Sequence, residues 1–173
     1  MSEIRADFRK LNNLLKALAD KHQIQVGVFS DKDKARKDPG GKKPIGNAEL
    51  GAIHEYGSPS RHIPPRSFLR MPLHVKGSEI ARIVAPVVRT MLEEGRAVEL
   101  KVKIGLAAEQ VIDEAFATGG FGNWAPDKQR TVMAKTTKSM KAKIRRQGKK
   151  ITGMPLIDTG ALRRSIASRV VTA

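Results

Sequence analysis

The chain has 173 residues, with 33 Lys+Arg against 17 Asp+Glu and no cysteine. A single domain is expected at ~100–200 residues per domain. The missing cysteine excludes a disulfide scaffold, a cysteine zinc site and thiol catalysis. The formal net charge of +16 points to a polyanion or an acidic protein as partner. Only seven residues are aromatic, so a mainly aliphatic core is expected. No apolar run approaches the ~20 residues of a membrane span. The opening MSEIRADFRK is charged where a secretory signal is apolar. The expectation is a soluble chain made in a cytoplasm, with no membrane partner.

In chain order, Ile4, Phe8, Leu11, Leu15, Leu18 and Ala19 recur at intervals of four and three, predicting an amphipathic helix over 2–20 with Ser2 as N-cap. Ile24–Ser30 alternates Ile24, Val26 and Val28 with Gln25, Gly27 and Phe29, which predicts a strand. Residues 31–47 contain DPGGKKP and read as a long, mobile, Lys-rich loop. AELGAIHEY at 48–56 predicts a short helix with Leu50, Ile53 and Tyr56 on one face, ended by Gly57 and Pro59. In IPPRSFL at 63–69 two prolines force an extended course toward Phe68 and Leu69.

Residues 78–94 return to helical spacing through Ile80, Ile83, Val84, Val87, Val88, Met91 and Leu92, with Pro86 either starting the helix or kinking it, and Gly95 as C-cap. From 96 to 118 two patterns compete. Val98, Leu100, Val102 and Ile104 alternate as a strand does, whereas Leu106, Val111, Ile112, Ala115 and Phe116 suit a helix. One helix to Gly119 is preferred, because no turn signal divides the halves. FGNWAP at 121–126 reads as a turn. Residues 119–154 are expected to be a second mobile loop, with an exposed helix as the alternative for its basic part. Asp158, Thr159 and Gly160 read as a structural turn with an N-cap, and 164–171 as a terminal strand. The sum is an α+β fold in one domain spanning 1–173: helices packed on a small, mainly antiparallel sheet, with long basic loops.

The charge is local. Residues 127–150 hold Lys128, Arg130, Lys135, Lys138, Lys141, Lys143, Arg145, Arg146, Lys149 and Lys150 against Asp127 alone, while 79–118 carry seven acids against five bases. No aromatic lies in the basic stretch, so base stacking is not expected there. Contact with DNA would be with phosphates and without sequence preference. A solvated loop is the bland reading of such a run.

Signatures of catalysis are absent from the sequence. His54-Glu55 starts like a zinc-protease helix, but the second ligand position is Ser58. Gly119-Gly120-Phe121-Gly122 lacks the Lys-Ser/Thr of a phosphate loop, and no serine sits in an elbow motif. The aspartates are scattered, which gives a metal-dependent nuclease little support. No catalytic, cofactor or metal residue is expected.

Three segments occur in a telling order: ELGAIHEYG at 49–57, IPPRSFLR at 63–70 and PLIDTGALRRSI at 155–166, with W-A-P between the last two. Together they resemble the tail-completion and virion-morphogenesis proteins of tailed bacteriophages, the minor tail protein Z type and related neck proteins. At the middle motif Ser67 stands where that family prefers proline. The resemblance implies a non-enzymatic structural protein of the head–tail junction, made in the host cytoplasm and built into the virion as a homo-oligomeric ring against other neck and tail proteins. Its motif residues, carried over by position, are Glu55, Tyr56, Gly57, Ile63, Pro64, Arg66, Phe68 and Leu69. Glu55, Tyr56, Ile63, Pro64, Pro65, Arg66, Phe68 and Leu69 form the expected assembly interface, with Phe68 and Leu69 either presented as anchors or plugging the chain's own core. The basic stretch is expected to face an acidic partner or genomic DNA in the channel. The alternatives are a tail terminator ring and a free-standing, non-specific DNA-binding protein.

Overall fold

The computed structural model describes residues 2–33, 45–136, 155–156 and 160–172. Lys138, Lys141, Lys143, Arg145, Arg146, Lys149, Lys150, Asp158 and Thr159 therefore lie outside the described residues, as does most of the loop expected at 31–47. The fold is α+β, helix-rich with one two-stranded antiparallel sheet. Its elements are α1 (Ser2–Leu18), β1 (His22–Val28), α2 (Asn47–Tyr56), α3 (Arg70–Val75), α4 (Gly77–Glu93), α5 (Ala97–Thr118), α6 (Gln129–Lys135), α7 (Ala161–Ser165) and β2 (Ile166–Thr172). They fall into two compact units.

The first unit comprises 1–27, 69–112 and 166–173. Its core is aliphatic: Val84 and Met91 from α4, Leu100, Ala107, Ala108, Val111 and Ile112 from α5, and Ala167 from β2. Residues 97–118 form one helix, and the apparent alternation dissolves in it. Leu100 is buried, whereas Val98 and Val102 face solvent. Pro86 lies inside α4 on an exposed turn, where the Arg82 carbonyl that loses its donor meets water instead of core.

The sheet is seated on α5 through two contacts. Gly105 removes a side chain where one would collide: a Cβ there would lie 2.6 Å from Ser168 Oγ and 3.6 Å from Ile24 Cγ2. One turn later the Glu109 carboxylate accepts from the Ser168 N–H at 2.5 Å and hydroxyl at 2.6 Å. At the start of β1, Lys101 donates to the His22 carbonyl at 2.6 Å and to Asp20 at 2.9 Å. Lys101, the His22 amide and the His22 ring together hold the Asp20 carboxyl far below the ordinary carboxylate range.

The second unit comprises 28–68 and 113–165. It gathers the aromatic side chains that the composition made scarce. Phe68, Phe116 and Trp124 stack in series, with centroids 5.4 Å and 5.6 Å apart, the second pair edge-to-face. Leu156, Leu162 and Val132 complete this core. Val132 belongs to α6, so the stretch expected to loop from 119 onward is a turn and a packed helix as far as Lys135.

In helix α2 the face that shares Leu50, Ile53 and Tyr56 is not the most buried one: Asn47, Gly51 and Glu55 are buried, Leu50 and Ile53 half-buried, and Tyr56 is 65% exposed. Gly51 allows the approach: a Cβ there would lie 3.3 Å from Phe68 Cζ and 3.5 Å from Leu162 Cδ1. Upstream, Asp33 accepts from the Ala48 N–H at 3.0 Å and so satisfies an orphan amide of the first turn of α2.

Candidate assembly site in the second unit

Gly57 ends α2 at φ +76°, a conformation that costs glycine nothing, and a Cβ there would lie 2.9 Å from the Ile63 carbonyl. The following turn Pro59–Arg61 closes with Ser58 and Ile63 bridged by two backbone hydrogen bonds of 2.9 and 3.0 Å. The extended segment then returns along α2, where the Arg66 N–H donates to the His54 carbonyl at 2.7 Å. Glu55 receives it with both oxygens, Oε1 accepting from the Ser67 hydroxyl at 2.6 Å and Oε2 from the Phe68 N–H at 2.8 Å. Ser67 thus adds its hydroxyl to the same carboxylate.

Arg66 and Trp124 tie the segment to the W-A-P turn from both sides. The Arg66 guanidinium donates to the Ala125 carbonyl at 2.8 Å and the Pro126 carbonyl at 3.2 Å, and pairs with Asp127 at 3.1 Å. Both ionic side chains are under 10% exposed, so removing either one leaves a desolvated charge behind. In return the Trp124 indole N–H donates to the Ser67 carbonyl at 3.1 Å.

Against this lock lies a cavity of about 380 Å³. Its wall is apolar, from Leu50, Ile63, Pro64, Leu156 and Leu162, and its cations include Arg61 and Lys128. Among the described residues Asp127 is the one carboxylate in the lining, and it is paired with Arg66. The cavity is therefore suited to an apolar segment that carries a carboxylate. Among the described residues no cluster of three or more His, Asp or Glu is arranged to hold a metal ion.

Of the expected interface, Glu55, Arg66 and Phe68 are buried within this unit, Phe68 at 1% exposure. Phe68 thus takes the core-plugging alternative, and Glu55 and Arg66 are interior ties to neighbours in their own chain. Tyr56 and Pro65 are exposed, and Ile63, Pro64 and Leu69 are half-buried. Of the basic residues, Lys128 and Arg130 are exposed and Lys135 ends α6. Gly160, at φ +71°, lines the cavity, and Leu162 behind it is buried as expected. The reading of the sequence missed Asp127, although a single acid in a run of ten bases was a signal for an internal arginine partner.

No helix among the described residues is long and apolar enough to cross a membrane. Comparison with protein-family models, with curated proteins and with solved structures finds no match to this chain.

Proposed function

We propose that this chain is a structural protein of a tailed-bacteriophage virion, acting at the head–tail junction as a tail-completion or neck protein by protein–protein assembly and without catalysis. The observation that supports this reading is the convergence of the motif segments. Residues 54–57, 63–68 and 124–127 come from separated stretches yet share one hydrogen-bonded cluster, and Gly160 and Leu162 join them in lining one cavity. A chance match of short strings has no reason to meet in space. The cluster gives the co-occurrence a physical basis: Glu55 holds the Phe68 N–H, Arg66 the Ala125 and Pro126 carbonyls, and Trp124 the Ser67 carbonyl.

On this reading the protein is made in the host cytoplasm and taken into the virion as a homo-oligomer, touching other neck and tail proteins through the cavity and its cationic rim. The test is inactivation of the gene in the phage that carries it, with particles counted by electron microscopy. Filled heads and free tails that fail to join are expected. Intact infectious particles overturn the proposal.

The charge of +16 favours a second reading, a protein that binds DNA without sequence preference. It predicts a gel shift whose affinity falls steeply and linearly with log salt. Tail termination is the nearest alternative within the first reading, and the position of the subunit in an imaged particle separates the two.

A further inference from the structure

Helix α1 presents its apolar stripe to solvent. Phe8, Leu11, Leu15 and Leu18 follow at intervals of three, four and three on one face, and they are 67, 53, 55 and 84% exposed. The side of α1 that packs on its own unit is mixed, with Leu14 and Ala17 half-buried beside Asn13. Asn13 donates to the Glu93 carbonyl at 2.7 Å and Lys10 pairs with Glu93 at 3.3 Å. A surface helix ordinarily turns its apolar stripe inward, so this one is built to be covered.

The same unit carries a second stripe. Val98, Val102 and Leu106 follow at intervals of four along α5 and are 42, 45 and 56% exposed. The two stripes are of matched length, about 15 Å and about 12 Å at 1.5 Å per residue. They do not serve each other within one chain. Lys16 and Ala17 line the groove beside Val98 and Glu99, whereas Leu11, Leu15 and Leu18 project from another side of α1.

Area and charge name the occupant. Exposed surface is about 500 Å² on the α1 stripe and about 250 Å² on the α5 stripe, about 750 Å² together, each patch within the range of an ordinary monomer surface. At the ~65% apolar share of a subunit interface, that sum corresponds to about 1,150 Å² buried, just above the threshold of a specific contact. Exposed Arg9 flanks the α1 stripe, whereas Lys16 shares a groove with Glu94 and Glu99 of its own chain. The α5 stripe begins beside Glu94, Arg96 and Glu99, a joined trio with one net negative charge, and Lys103 lies further along.

We propose that α1 of one copy packs on α5 of a second copy of this chain, in a head-to-tail contact centred on Leu15 and Val102. Pairing of α1 with α1 about a two-fold axis would leave Val98, Val102 and Leu106 in water. A head-to-tail contact buries both stripes and repeats, closing to a ring or extending to a filament. In supplying the surface of the homo-oligomer the contact rests on the assembly reading above.

The cysteine-free chain makes the test direct. Full-length Leu15→Cys and Val102→Cys variants, purified separately, are mixed and oxidised. A covalent dimer is expected in the mixture and not from either variant alone. The unmodified chain is expected to sediment as an oligomer, and Leu11→Lys with Leu15→Lys to weaken association at least tenfold while melting like the unmodified chain at dilutions where both are monomeric, because both positions are exposed. A mixture that stays monomeric, or a Leu15→Cys variant that dimerises by itself as readily, overturns the contact. So does an unmodified chain that remains a monomer with its stripe covered by its own residues. Failure of the functional reading is a separate result: gene inactivation that leaves particles intact refutes the virion role while leaving a positive cross-link standing.

Discussion

Removal of the Glu55 carboxylate tests whether the lock at α2 stabilises the second unit. Glu55→Ala takes away both acceptors at once. The Phe68 N–H, on a residue 1% exposed, then has neither carboxylate nor water, and a buried donor left unsatisfied costs about 1–3 kcal/mol. The lost Ser67 bond and the void left by the side chain bring the total to about 3 kcal/mol. For a chain of this length that lowers the midpoint by about 6–12 °C. Glu55→Gln is far milder, at about 1 kcal/mol. Its amide oxygen still accepts from Phe68, and its NH₂ donates to a Ser67 hydroxyl that rotates to accept. Trp124, the single tryptophan, donates to the neighbouring Ser67 carbonyl, so its fluorescence during thermal or urea unfolding follows this cluster. Glu55→Ala within 0.5 kcal/mol of the unmodified chain, about the spread of a neutral surface change, or Glu55→Gln as damaging as Glu55→Ala, refutes the reasoning.

Gly105→Ala is expected to destabilise by about 1–2 kcal/mol despite alanine's helix preference, because the new Cβ would lie 2.8 Å from Ser168 Cβ; urea denaturation by circular dichroism reads the sign, and a stabilised variant shows that the strand moves freely. Arg66→Met strands the buried Asp127 carboxylate and should cost about 3–5 kcal/mol, with Arg66→Met/Asp127→Leu recovering part of it in a double-mutant cycle followed by tryptophan fluorescence. The Asp113 carboxyl is lowered by its hydrogen bonds from Arg163 and by that residue's charge. A depressed carboxyl contributes fully above its unfolded value, near 4, and loses its contribution as pH falls toward and below the folded value. Both side chains are well exposed, so the effect stays under about 1 kcal/mol, and Asp113→Asn should remove that part of the acid-side slope of stability against pH.

Periodicity made the helices legible and said little about what they face. The intervals in α1 were plain, but a stripe pointing to solvent reads the same as one pointing to core. In α2 the apolar residues Leu50, Ile53 and Tyr56 advertised a face that is not the most buried one. The helix is held by a glycine too small to register and by a carboxylate that caps a distant segment. The extended course through Pro64 and Pro65 followed from backbone chemistry alone, whereas the burial of Arg66 depended on Asp127, sixty-one residues away. Local patterns carry local geometry; the ties that build the site are pairings across the chain, and no window of a dozen residues contains both ends.

The division of the chain between its units has a consequence for synthesis. Neither unit is a continuous stretch, and the chain passes between them at Gly27–Val28, at Phe68–Leu69, within α5 at Ile112–Asp113 and at Ser165–Ile166. Leu162 of the second core and Ala167 of the first are five residues apart in sequence. Both interiors therefore wait for almost the same moment of translation. Until then the ribosome carries a long nascent chain with Phe68, Phe116 and the α5 apolar residues unclosed. Such a chain depends on chaperones or on rapid closure to escape aggregation.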